Sequence, residues 1–250
     1  MPKMTLLDLV QDVLSDMESD EVNSINDTAE ALEVAQIVKS TFYSMIDGKD
    51  WPHLYQFFQL TASGTTSRPT HMMLPERISD VEWVKYNCRE VTDTRDKVRK
   101  IIYKTPEKFM ELLDSRVSDA VEIDVITDTT SISLNIYNDR APTYYTSFDN
   151  EYIIMDAYDV GVDSTLQTSK TQCYGKQDPS WTMEDTFTPD LPANSFSYLL
   201  NEAKSTCFLV IKQMANAKAE QNAVSQRRRM SQQAWRVAGG IKYPNYGRKR

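Results

Sequence analysis

The chain has 250 residues, 40% of them hydrophobic and 26% charged, enough for a packed core in one large domain or two small ones. Its formal charge of -8 is unevenly placed: residues 1–203 hold 17 Lys and Arg against 35 Asp and Glu, a net of -18, whereas residues 204–250 hold 11 against the single acid Glu220. An acidic body repels nucleic acid and anionic membranes, no apolar run approaches the roughly 18 residues of a bilayer span, and three scattered cysteines (Cys88, Cys173, Cys207) imply no disulfide framework.

At the N-terminus, Asp8, Asp12 and Asp16 interrupt any secretory apolar stretch, so a cytosolic product is expected. MTLLDLVQDVLSDM predicts a short amphipathic helix, with Leu6, Val10, Val13 and Met17 at helical spacing. DTAEALEVAQIVKSTFYSMIDGKD predicts a second. Asp27 and Glu30 suit a capping box at its start, Ala31, Ala35, Val38, Phe42 and Met45 form its stripe, and Gly48 suits the C′ position that stops it.

The middle of the chain is rich in Val, Ile, Tyr and Thr. From WPHLYQFFQLTAS onward it predicts short strands in DVEWVKYNC, KVRKIIYK, SISLNIYND, TYYTSFD, EYIIMDAY and SKTQCYG. Turn signals at Asn138–Pro142 and Asp149–Asn150 separate them, so hairpins and an antiparallel sheet are expected. One helix, TPEKFMELLDSR, interrupts, with Thr105 as N-cap, Pro106 at N1, and Phe109, Leu112 and Leu113 facing the core.

No Gly or Pro occurs from Ala193 to Ala238. Phe196, Leu200, Ala203, Cys207, Val210, Met214 and Ala217 keep a helical period, after which the apolar stripe fades beyond Ala219. A continuous helix to Trp235 is expected, about 60 Å long at about 1.5 Å per residue, ending at Gly239-Gly240. The fold class read from these elements is α+β: a terminal helical bundle of residues 1–50 and 192–235 with a long C-terminal helix, an inserted antiparallel β domain over 51–191, and an extended basic arm over 236–250.

Chemistry-bearing patterns are sparse. The two histidines, His53 and His71, have no paired ligand at metal spacing, and His71 is expected in a loop. No phosphate-cradling glycine motif and no nucleophile elbow occurs. Asp156, Asp159 and Asp163 lack calcium-loop spacing and read as a solvated acidic turn. No catalytic residue, metal or cofactor is expected.

The basic end stands out. Arg227, Arg228, Arg229, Arg236, Lys242, Arg248, Lys249 and Arg250 occur without a single acid among them, interleaved with Trp235, Ile241, Tyr243 and Tyr246. Protein docking, nucleic-acid binding and a merely solvating tail are open readings. Aromatics and arginine are the residue types that anchor protein interfaces, which favours docking by these twelve residues.

The order of elements resembles head-to-tail adaptors of short-tailed phages, the tail tubular protein A or gateway group. The residues that carry the resemblance are DTAEALEVAQIVKSTFYSMIDGKDW, the strand ending in Leu60–Ser63, MLPERI (Met73–Ile78), VKYN (Val84–Asn87), and PDLPANSFSYLLNEAK opening a long helix before a basic tail. The resemblance implies a structural virion protein without catalysis, located in the tail or neck and made in the host cytoplasm. It implies a homo-oligomeric, dodecameric ring beneath the portal protein. The bundle would face the portal, the β domain the next tail component (a nozzle or tail tube protein), and the arm from Arg227 to Arg250 would embrace portal subunits. DNA would pass through the lumen without specific binding, which suits an acidic body, since each phosphate neutralised adds affinity and friction. The alternative reading is a nucleic-acid-binding regulatory protein that uses the basic tail.

Overall fold

The computed structural model describes residues 3–48, 51–90 and 92–237, with side chains as far as 230. In chain order the elements are α1 (Leu6–Asp16), α2 (Ala29–Asp47), β1 (Tyr55–Phe58), β2 (Thr61–Ala62), β3 (His71–Met73), β4 (Ile78–Asn87), β5 (Val98–Tyr103), α3 (Pro106–Asp114), β6 (Ile123–Thr127), β7 (Ser133–Tyr137), β8 (Tyr144–Thr146), β9 (Tyr152–Met155), β10 (Thr171–Gln177), α4 (Phe196–Val210) and α5 (Ala217–Val237). The class is α+β. Two units form: one joins residues 1–54 to those from 179 onward, and the other spans Tyr55–Asp178. The inserted unit therefore begins at Tyr55 and ends at Asp178, not at 51 and 191.

The first unit is built on the stripes seen in the sequence. Leu6, Val10, Val13 and Met17 of the α1 region, and Ala31, Ala35, Val38, Phe42 and Met45 of α2, are all buried in one core with Phe196, Leu199 and Cys207 of α4. The capping box belongs to α1: the Thr5 hydroxyl accepts from Asp8 N at 3.2 Å, and Asp8 Oδ2 accepts from Thr5 N at 2.9 Å. Two orphan donors at the helix start are thereby satisfied reciprocally. At α2 the expected Asp27–Glu30 box is absent. Thr28 is the N-cap, its hydroxyl accepting from Ala31 N at 3.0 Å, while Asp27 takes the N–H groups of Asn23 and Ser24 at 2.8 Å each. Gly48 is the C-cap at a φ of -70°, a right-handed conformation open to any residue, so the expected left-handed stop is also absent.

Residues 179–191, expected in the β domain, lie on the helices. Leu6 N donates to Phe187 O at 2.7 Å, and Ile25 N donates to Asp185 Oδ1 at 2.8 Å. Trp181, Met183 and Phe187 pack against the same core.

The long C-terminal helix is two helices. α4 ends at Val210, Gln213 turns through a φ of +53°, and Asn216 starts α5 by accepting from Ala219 N at 3.1 Å. Gln226 of α5 donates to Ser197 Oγ at 2.6 Å and accepts from Asn201 at 3.4 Å, so α5 runs back antiparallel along α4. Ala219, Ala223 and Met230 are buried along the joining face, the last two beyond the point where the stripe had been expected to fade. Val210 and Met214, expected in that stripe, are 52% and 67% exposed because they sit at the turn.

In the second unit an eight-stranded sheet has the order β1-β10-β4-β5-β8-β9-β3-β2, and β6 and β7 form a separate hairpin. The sheet is mixed and not antiparallel: β5 and β8 run parallel, pairing Ile102 with Tyr144. Two strands of the unit, β3 in this sheet and β6 in the hairpin, fall in stretches where none was expected. β1 and β2 are one stretch of chain separated by Gln59 and Leu60 alone. β1 pairs with β10, β2 pairs with β3, and between them Leu60 N and Ala62 N donate to the hydroxyls of Thr171 and Thr168 at 3.1 and 2.9 Å. The sheet thus curls until its two end strands are consecutive in one stretch of chain. Gly175 sits at a bulge between β10 and β4, where a Cβ would come within 2.2 Å of Asp80 O, so only glycine fits. Leu60, Met72, Val84, Ile101, Leu134, Ile153 and Cys173 form the core, capped by Phe109 and Leu113 of α3; Leu112 is only half-buried.

Candidate functional site

α5 carries the described part of the basic end. Arg227, Arg228 and Arg229 are exposed, spread around the helix at about 100° per residue, while Met230 turns into the core. Because Gln226 lies against the first turn of α4, the turns from Arg227 to Val237 run past that end of α4. Trp235 and Arg236 fall in the last turns of α5, and their side chains lie outside those described; Ile241, Lys242, Tyr243, Tyr246, Arg248, Lys249 and Arg250 lie outside the described residues. The outer face of α5 presents Glu220, Gln221, Val224, Ser225 and Arg228 around a shallow recess.

A second surface was not legible as a site in the sequence. On the outer side of β1, β10 and β4, Tyr55 stacks on Tyr174 and Tyr174 on Trp83, each at 5.9 Å between centroids, with Phe57 tilted over Tyr174 at 5.1 Å. The Lys85 ammonium lies 4.5 Å above the Trp83 ring. Phe57 is 73% exposed. Period-two alternation put these aromatics on one strand face each; only the pairing of strands distant in sequence joined them.

Buried polar pairs brace the same unit. His71 is buried on β3, not in a loop, and its Nε2 lies 2.9 Å from Asp128 Oδ1. Burial pulls the His71 pKa below its ordinary value despite the opposing bond from Asp128, so the ring is neutral and donates through Nε2. For Asp128, burial raises the pKa, but hydrogen bonds from Thr130 and His71 outweigh it and hold the carboxyl at about 2. Arg116 Nη2 meets Asp156 Oδ2 at 3.0 Å, and Asp156 Oδ1 accepts from Thr143 N and Tyr144 N at 2.8 Å each. Asp156 is therefore buried and paired, not part of a solvated turn, and Asp163 is bonded to Lys170. Arg116 and Arg140 sandwich the Tyr137 ring at 4.1 and 3.9 Å. Every oxygen of Asp156 is thus committed to holding β7, β8 and α3 together.

Cys173 and Cys207 are buried thiols, whose pKa values burial pushes up to about 12; Cys88 is half-buried and also raised by burial. A recess of about 670 Å³ at the start of β4 is lined by Leu74, Ile78, Tyr103, Tyr145 and Ile153 with Asp80 and Glu82 at its rim; no histidine or cysteine lines it. Among the described residues no group of three His, Cys, Asp or Glu side chains is placed to hold a metal ion, and no helix is long and apolar enough to cross a membrane.

The molecule is thus an α+β protein in which a helical unit is interrupted by a curled mixed sheet unit, with its exposed chemistry in a basic helix and an aromatic sheet face. No protein-family model matches the chain, and no curated protein matches it.

Proposed function

We propose that this chain is a structural virion protein, a head-to-tail adaptor that forms an oligomeric ring between portal and tail and completes the DNA channel. The single observation that carries the reading is charge segregation: a net of -18 over residues 1–203, against an exposed arginine run on α5 that leads into an acid-free, aromatic end. A negative body lets duplex DNA slide without gripping its phosphates, and a cationic arm finds an acidic partner surface quickly. In this reading the helical unit faces the portal, the sheet unit faces the next tail component, and the end from Arg227 docks on portal subunits. The arrangement of a bundle with an inserted sheet unit, in the order of motifs that resembles the phage adaptors, supports it.

Met230 is buried, so truncation just after it preserves the core. Full-length protein should co-sediment with portal. Truncation after Met230 combined with R227E/R228E/R229E should leave a folded protein that does not. Co-sedimentation by the truncated variant would remove the arm from the proposal. Tight duplex binding that collapses with rising salt would replace the adaptor with a nucleic-acid-binding regulator.

A further inference from the structure

The outer face of β1-β10-β4-β5 combines exposed apolar rings with lysines that the fold leaves in an unfavourable arrangement. Lys85 and Lys100 are direct cross-strand partners, and like charges placed opposite one another repel. Among the described residues neither makes an ion pair. Lys85 rests over Trp83, and Lys100 is exposed. Ile102, one position beyond the Ile101–Val84 pair and therefore on the Trp83 side, is 51% exposed. A surface that concentrates positive charge beside exposed Phe57 and Ile102 is built for an anionic partner that also offers apolar contact.

The ring geometry discriminates between partners. Tyr174 stacks with Tyr55 and with Trp83, Phe57 is tilted over Tyr174, and the Lys85 ammonium lies over the Trp83 ring. Rings that pack on one another leave less open face for nucleobases, whose binding depends on such faces. The lysines beside them attract carboxylates. The chain itself supplies carboxylates. Residues 16–21, DMESDE, are its densest acidic run, and Glu18, Asp20 and Glu21 are exposed in the turn between α1 and α2, with no ion pair among the described residues. Charge complementarity therefore selects a second copy of this chain as occupant.

We propose that the aromatic and lysine face around Phe57, Trp83, Lys85 and Lys100 docks the acidic α1–α2 turn (Glu18, Asp20, Glu21) of a second copy. The two patches are different surfaces, so the contact is head-to-tail, the kind from which a ring is built when its rotation closes. The inference rests on the adaptor reading for its setting, but its test needs no portal.

Sedimentation velocity of the full-length protein across a concentration series is the test. Wild type should self-associate. Lys85→Glu/Lys100→Glu should weaken association about tenfold or more, and so should Glu18→Lys/Asp20→Lys/Glu21→Lys. The chain carrying all five substitutions should recover it. Lys85→Ser/Lys100→Ser, which relieves the like-charge pair and so should keep the fold, should also weaken association. A wild type that stays monomeric at every concentration, association unmoved by lysine replacement, or no recovery in the combined variant would each overturn the proposal. So would a fluorescent oligonucleotide, single-stranded or duplex, that binds wild type and is released by Lys85→Glu/Lys100→Glu. A monomeric wild type that still co-sediments with portal would sink this contact and leave the adaptor reading standing.

Discussion

His71 and Asp128 lie 57 residues apart in sequence and touch in a buried setting, so their titration reports on the whole sheet unit. A histidine held neutral by burial refuses a proton that the unfolded chain accepts below about 6.5, so the fold loses stability as pH falls through that value. Asp128 acts lower down: its contribution is complete above the ordinary value of 3.8 and is lost as pH falls toward about 2. The unfolding midpoint followed by circular dichroism should therefore drop between pH 7.5 and 5. His71→Gln should start from a lower midpoint and show a shallower drop over that window. Asp156→Ala leaves the Arg116 guanidinium buried without its partner, and urea unfolding should show a loss of about 3–5 kcal/mol. None of these pairs was legible beforehand. Two lone histidines and an acidic turn carry no local signal, because their partners come from other strands.

At the scale of elements, α1, α2 and α3 were readable because their apolar spacing depends on neighbours within a turn or two; Thr105 precedes α3 as expected, but its hydroxyl makes no capping bond. Even so, the cap of α2 fell one residue later, on Thr28, since Asp27 was taken by the preceding loop. The α4–α5 break is different in kind. Helix formers run through residues 211–216 without Gly or Pro, and nothing local demands a turn. The turn forms because folding back buries Ala219, Ala223 and Met230 and ties Gln226 to α4, which outweighs the cost of one left-handed residue at Gln213. Ala223→Glu should expel α5 from its seat by placing a charge where 1% of the residue is exposed. Limited proteolysis should then cut between Ile211 and Asn216 faster than in wild type. Asn216→Ala removes only the cap and should cost about 1 kcal/mol. Gly175→Ala, in contrast, drives a Cβ into the backbone of Asp80 and should unfold the β10–β4 pairing, seen as lost cooperativity in thermal melts.

For the molecule as a whole, the sheet unit enters and leaves through adjacent strands, with Tyr55 paired to Lys176, and its two end strands are consecutive in its own chain. An excised Tyr55–Asp178 should therefore fold cooperatively, which a single sharp thermal transition and dispersed amide resonances would show. Composition and periodicity alone sufficed for the α+β class, the helical ends around a β-rich middle, the charge asymmetry and the stripes of the first two helices, because each is written in residues near one another in the chain. The mixed sheet with its parallel β5–β8 pair, the curl that puts β1 and β2 at its two ends, the backward turn of α5, and the face that gathers Phe57, Trp83, Lys85 and Lys100 were settled only by folding. Strand alternation says which side chains share one face of one strand. Which strands become neighbours is set by long-range burial, and that energy has no local signature.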